Sequence, residues 1–220
     1  MLGERGLWYK MNFFEPACRI PLIVCAPGRF AARRVRAHAS LLDVLPTLVE
    51  LGADGRTPEL AAPLDGRSLV PQLSGDSAES PGRPAEVIGE YLAEGAIAPV
   101  VMIRRGKHKF VHSPVDPDQL YDLTADPLEE TNLAGMVEHA ATVAAFREEV
   151  GQRWSLAAVH EQVLASQRRR HLVDAALRAG RYTSWDYQPR RDASRMYVRN
   201  DQALDDTEAT ARFPPVTARR

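Results

Sequence analysis

Residues 20–26, Ile-Pro-Leu-Ile-Val-Cys-Ala, make a nearly continuous apolar run closed by Pro27 and Gly28. Such a run predicts a strand buried on both faces in the centre of a parallel sheet. Between 40 and 52 the pattern changes: Leu41, Leu42, Leu45, Leu48, Val49 and Leu51 recur at helical spacing and Gly52 supplies a stop. Pro46 inside that stretch implies a kink or a first turn that starts late. Short alternating runs at 86–91, 99–103, 109–112 and 119–122, separated by turn residues, predict a small antiparallel sheet. Beyond them Val143, Phe146, Val150 and Trp154 form one stripe of a helix with charges opposite, and another helical pattern runs over 156–177 towards Gly180.

The residues between these elements set the organisation. Positions 54–84 read as loop, and their Ser, Gly and Pro density from Ser74 onward marks the best boundary. The expected division is 1–78, the end of an α/β domain; 79–180, a smaller α+β unit; and 181–220, an extended arm. The arm has little periodicity, yet it carries Tyr182, Trp185, Tyr187, Tyr197 and Phe213. Disordered segments are poor in aromatics, so the arm reads as one that docks on another surface.

Composition narrows the classes. The 220 residues are 45% hydrophobic and 26% charged with a net charge of −1, enough for a real core and without the basic field that attracts nucleic acid or an anionic membrane. The Arg168-Arg169-Arg170 cluster is local. No apolar run nears the roughly 20 residues that span a bilayer, and the opening residues lack the layout of a signal peptide. Cys18 and Cys25 have neither metal-ligand spacing nor the number for a disulfide framework, so a cytoplasmic location is the expectation.

Three segments together resemble the sulfatase branch of the alkaline phosphatase superfamily. One is Gly6-Leu7-Trp8-Tyr9-Lys10 with Glu15, Arg19 and Pro21 behind it. Another is Ser40-Leu41-Leu42-Asp43-Val44-Leu45-Pro46-Thr47-Leu48 followed by Pro63-Leu64-Asp65-Gly66-Arg67-Ser68-Leu69. The last is Lys109-Phe110, then Gln119-Leu120-Tyr121-Asp122-Leu123, Asp126-Pro127 and Glu129-Glu130-Thr131-Asn132-Leu133. The arm narrows the likeness: Gly180-Arg181-Tyr182-Thr183-Ser184-Trp185-Asp186-Tyr187, with Arg191-Asp192-Ala193-Ser194 following, looks like the C-terminal extension of choline-sulfatases.

The resemblance implies the C-terminal part of an α/β fold with a small antiparallel subdomain, and a parent enzyme that hydrolyses choline sulfate; the alternatives are another hydrolase of the superfamily, an arylsulfatase or a phosphonate or phosphate monoesterase, and a non-catalytic oligomerisation module. In the family a formylglycine hydrate attacks the sulfate, calcium or a similar divalent cation polarises its oxygens, and cationic side chains offset the developing charge. The Cys/Ser-x-Pro-Ser-Arg signature that yields formylglycine is not found here. The family's Asp-His or Asp-Asn metal ligands would fall ahead of Met1. The expectation is therefore a piece of a longer enzyme, inactive alone, with no metal ligand or cofactor of its own. Cys25-Ala26-Pro27-Gly28-Arg29 fits a minimal Cys-x-Pro-x-Arg pattern, but three fixed residues recur by chance, and Cys25 reads instead as a small buried thiol.

Within that frame Lys10 is the candidate catalytic residue, its compact ammonium suited to a sulfate or leaving-group oxygen. A lysine in a glycine-rich loop is otherwise simply solvated, and only the family motif lifts Lys10 above that. Glu15 and Arg19, four apart, are read as an ion pair supporting the Lys10 loop. A trimethylammonium group binds best to aromatic faces with a carboxylate nearby; Glu90, Glu94, Asp205 and Asp206 are the candidate carboxylates, although each taken alone reads more readily as a solvated surface acid. His108 and His112 alternate on a short strand with no ligand partner at metal spacing. The arm implies a homo-oligomer.

Overall fold

The computed structural model describes residues 1–53, 62–75 and 86–180. The chain falls into two compact units, Met1–Val163 and Leu164–Arg220; of the second, 164–180 are described, and they are helical as far as Ala179. Asp205, Asp206 and the aromatics between Tyr182 and Phe213 lie outside the described residues. In chain order come helices α1 (Glu15–Cys18), α2 (Val44–Gly52) and α3 (Val70–Ser74), strands β1 (Glu86–Tyr91), β2 (Val100–Arg105), β3 (His108–His112) and β4 (Gln119–Asp122), then helices α4 (Ala140–Arg153) and α5 (Leu156–Ala179). Among the described residues no helix is long and apolar enough to cross a membrane.

The four strands form an antiparallel meander in sequence order. A two-residue turn at Gly106-Lys107 joins β2 to β3, and its tight reversal is met by Gly106 at φ +54. Register places Ile88 opposite Ile103, Ile103 opposite Phe110 and Phe110 opposite Leu120, an apolar row across all four strands. Helix α4 closes over it with Val143, Phe146 and Val150. The Phe110 and Phe146 rings stack with centroids 5.2 Å apart.

Successive strand residues point to opposite faces, so the register that buries Phe110 under α4 sends Lys109 to the other side, with Met102, Val111 and Tyr121. The N-terminal segment lies on that second face. The Phe14 ring sits 6.1 Å from that of Tyr121. Phe13 packs so close to Gly89 of β1 that a Cβ there would lie 2.7 Å from its ring. Along one edge, Arg105 pairs with Glu86 and, at 2.6 Å, with Glu149, while Arg153 reaches both acids at 2.6 Å, which ties β1 and β2 to α4.

The 40–52 stretch divides into a 3₁₀ turn, Leu41–Asp43, and α2. Pro46 is third in α2, where a backbone N–H has no helical acceptor to lose, which is the late first turn expected from the sequence. Ser40 and Asp43 cap the turn reciprocally. Asp43 Oδ1 also accepts the Arg67 amide at 2.9 Å, and buried Thr47 donates to the Asp43 carbonyl while accepting the Leu69 amide at 2.8 Å. Residues 40–47 and 66–69 thus lock together. Gly66 is required because a Cβ would fall 1.9 Å from the Leu42 carbonyl oxygen.

Two expectations are corrected. Residues 20–26 are not a buried strand: they form no strand, and Leu22 and Ile23 are 50% and 86% exposed. A strand exists only when its amides and carbonyls find a neighbour, and no described segment pairs with this one. For the same reason Cys25 is not a buried thiol but an exposed one.

Candidate functional site

The site is built from the Lys10 loop upward. Glycines at φ +116 (Gly3) and +70 (Gly6), with Arg5 and Tyr9 also left-handed, fold residues 1–9 into a compact turn. It is closed by the Leu2–Trp8 bridge and by the terminal amine of Met1 donating to the Tyr9 carbonyl at 2.8 Å. Lys10 follows, exposed, and among the described residues it makes no hydrogen bond or ion pair. Trp8 and Tyr9 beside it are exposed as well.

Beyond Asn12, whose Oδ1 accepts the Phe14 amide at 3.0 Å, the chain is fastened down. Lys109, 1% exposed, donates to Glu129 Oε1 at 2.8 Å, to the Phe13 carbonyl at 2.8 Å and to Cys18 Sγ at 3.5 Å, and ion-pairs with Glu15 Oε1 at 2.5 Å. Glu129, 0% exposed, uses its other oxygen to accept the Glu15 amide at 2.7 Å. Arg5 lies over the Phe14 ring, 4.5 Å from its centroid, and donates to the carbonyls of Leu128, at 2.7 Å, and Glu129. Burial opposes the charge on Lys109, but its hydrogen bonds to Glu129 and Glu15 outweigh this, and its pKa is raised. Burial pushes the Cys18 thiol up despite nearby Lys109, so Cys18, donating to the Phe13 carbonyl, is a packed thiol rather than a nucleophile.

Glu15 and Arg19 are within 4.0 Å, with Arg19 otherwise in solvent, and the short contact of Glu15 is to Lys109. Glu90 on β1 accepts the Trp154 indole N–H at 2.6 Å, tying β1 to the end of α4. Glu94 lies in the following loop, where its carbonyl accepts the Tyr91 hydroxyl at 2.6 Å and its carboxylate is exposed. No hydrogen bond or ion pair joins Lys10 to Glu90 or Glu94. His112 pairs with buried Asp118 at 2.6 Å, and Arg147 holds the other oxygen of that acid.

Sequence reading used Lys109 and Glu129 as marks of resemblance and missed their role. The available signal was Lys109 beside the apolar Phe110-Val111 pair of a strand, a charge seldom found there without pairing; Glu129, in a polar loop, gave none.

The same chain matches a family model described as N-sulphoglucosamine sulphohydrolase, C-terminal, over residues 3–155. The chain belongs to the sulfatase family. A second model, choline sulfatase enzyme C terminal, matches 161–213. This sulfatase-family chain is 47% identical over 219 residues to the choline-sulfatase of Rhizobium meliloti, covering 97% of itself and 41% of that protein. It is 33% identical to arylsulfatase K of Mus musculus, over 61% of itself and 25% of that protein. The phosphonate monoester hydrolase of Silicibacter pomeroyi superposes with a TM-score of 0.58 at 29% identity, over 69% of this chain and 32% of that one. The helices and four-stranded sheet of the described residues are of the α/β class. The chain spans under half the length of each of these relatives.

The family implies a divalent cation. Among the described residues no three or more His, Cys, Asp or Glu side chains are grouped to hold a metal ion.

Proposed function

We infer that this chain forms the C-terminal part of an enzyme that hydrolyses choline sulfate to choline and sulfate, and that it is inactive alone. The observation that carries this reading is the likeness continuing past the sulfatase-wide region into 161–213, which a choline-sulfatase model matches. Nucleophile and cation belong, on this reading, to residues outside this chain. On this reading Lys10, exposed and without a hydrogen bond or ion pair among the described residues, would bind a sulfate oxygen or steady the leaving oxygen as the ester bond breaks. Glu15 and Arg19 support its loop. Glu94 is the better of the two β1-region acids for a trimethylammonium group, because Glu90 is engaged by Trp154. Asp205 or Asp206 would reach the same group from an arm, 181–220, docked on a second copy of the chain.

The test is a hybrid in which this chain replaces the aligned region of the Rhizobium meliloti choline-sulfatase. Choline sulfate should be its preferred ester over an aryl sulfate and a phosphonate monoester, and Lys10→Ala should lower kcat/KM by about 10²-fold or more. A change below about threefold, or preference for the phosphonate ester, would overturn the reading.

A further inference from the structure

We propose that Lys109 and Glu129 are positioning residues for Lys10, a buried charge pair on the antiparallel sheet that sets where the Lys10 loop presents its ammonium. The inference deepens the proposed function and rests on the role given there to Lys10.

A charge taken out of water is costly, and a well-packed apolar pair of similar volume commonly serves stability at least as well. The Lys109–Glu129 pair is therefore better explained by what it specifies than by what it stabilises. Its polar groups are committed: the Lys109 ammonium, with three protons, is surrounded by Glu129, Glu15, the Phe13 carbonyl and Cys18 Sγ. The second Glu129 oxygen meets the Glu15 amide. Apart from the link between the two partners themselves, all of these contacts go to the N-terminal segment.

That segment would otherwise lie on the sheet through Phe13 and Phe14 against Gly89 and Tyr121. Apolar contact has no direction, and such a surface permits sliding. Hydrogen bonds to fixed charges do not. Moreover, both ends of the Lys10 loop converge on one residue. Ahead of Lys10, Arg5 donates to the Glu129 carbonyl; after it, Glu15 takes the Glu129 carboxylate. Glu129 itself has φ +58, uncommon for a side chain of its kind. Residues 6–14 are thereby held at both ends on Glu129, with Lys10 between the two anchors. The first and third sequence segments that carry the family likeness meet here, the one supplying the loop and the other the clamp.

The first experiment uses the 220-residue chain itself. Amide exchange should show the hydrogen-bonded amides of Glu15, Ala17 and Cys18 losing about tenfold or more protection in Glu129→Gln, with β2 and β3 unchanged. If Lys109→Met or Glu129→Gln does not fold, the doubly apolar Lys109→Met/Glu129→Leu chain gives the same reading, with sheet protection kept and segment protection lost. Uniform loss across sheet and segment, or no selective loss in the segment, overturns the clamp. The second experiment asks whether the clamp acts through Lys10. In the hybrid enzyme Glu129→Gln should lower kcat about tenfold with KM changed less than about threefold, and should have little further effect in a Lys10→Ala background. Equal multiplicative losses in both backgrounds would make Glu129 merely structural and overturn the inference. A hybrid inactive before any substitution counts against the proposed function instead, and the exchange data then decide the clamp.

Discussion

The sheet with α4 and the stretch from Ile20 to Leu48 are both rich in apolar side chains, and they end in opposite states. In the first, Ile103, Phe110 and Leu120 are fully buried beneath Val143, Phe146 and Val150. In the second, Ile23 is 86% exposed, and Leu41, Leu45 and Leu48 of the 3₁₀ turn and α2 are each more than half exposed. Hydrophobicity is alike; what differs is whether a partner lies nearby in the chain. Hairpins and the following helix supply each strand of the sheet with a neighbour a few residues away. The 20–26 run reads as a central strand and would need neighbours on both sides, which the described residues do not provide. An apolar pattern therefore states a demand for burial, and topology decides where it is met.

The comparison is broken most directly in the sheet. Phe110→Ala should cost about 3–5 kcal/mol, seen as a lower urea midpoint with unchanged m-value. A loss under about 1 kcal/mol would mean that this core is no better packed than the 20–48 stretch. In the second region what holds is polar: Thr47→Val leaves the buried Leu69 amide without its acceptor and should cost about 1–3 kcal/mol. Exchange should loosen around 40–47 and 66–69 while β2 and β3 keep their protection.

The edge network adds a smaller, pH-dependent contribution. Hydrogen bonds from Arg105 hold the Glu149 carboxyl below the usual range; at Glu86 burial pushes upward, but Arg105 and Arg153 together pull the value down. A lowered folded-state pKa gives stability that is complete above the unfolded value of about 4.3 and is lost as pH falls through the folded values. Glu149→Gln should therefore flatten the decline in Tm below about pH 4.3. Lys109 runs the other way: its raised pKa gives stability complete below about 10.4, lost as pH climbs through the folded value. The smallest effect is the sharpest control. Ile23→Ser should change stability by less than about 0.5 kcal/mol, because the residue buries little here. A loss above about 1 kcal/mol would show that this stretch has a partner after all.

Much of the fold was legible in the sequence. The 86–91 and 119–122 runs became β1 and β4 with the expected bounds, and the Val143, Phe146, Val150 stripe became the buried face of α4. These elements rest on local periodicity and turn residues, which a sequence displays directly. Of the site, the family motif pointed to Lys10 and to Glu15 with Arg19. The clamp was not legible, because Lys109 and Glu129 stand twenty residues apart and both stand far from Glu15.

By itself, then, the sequence determined which residues alternate, where the chain turns and which surfaces need burial, since these follow from neighbours within a few positions. It also determined the family, through motifs whose meaning is positional. Only the tertiary structure decided that Lys109 faces away from Phe110 and towards Glu15, that Glu90 is taken by Trp154, and that Cys25 is exposed. The first two depend on strand parity combined with contacts between distant segments, and the third on the want of a pairing segment among the described residues. A charge written in the sequence carries no record of which distant oxygen will satisfy it; packing brings the two together, and the cost of leaving either one bare in the interior then holds them there.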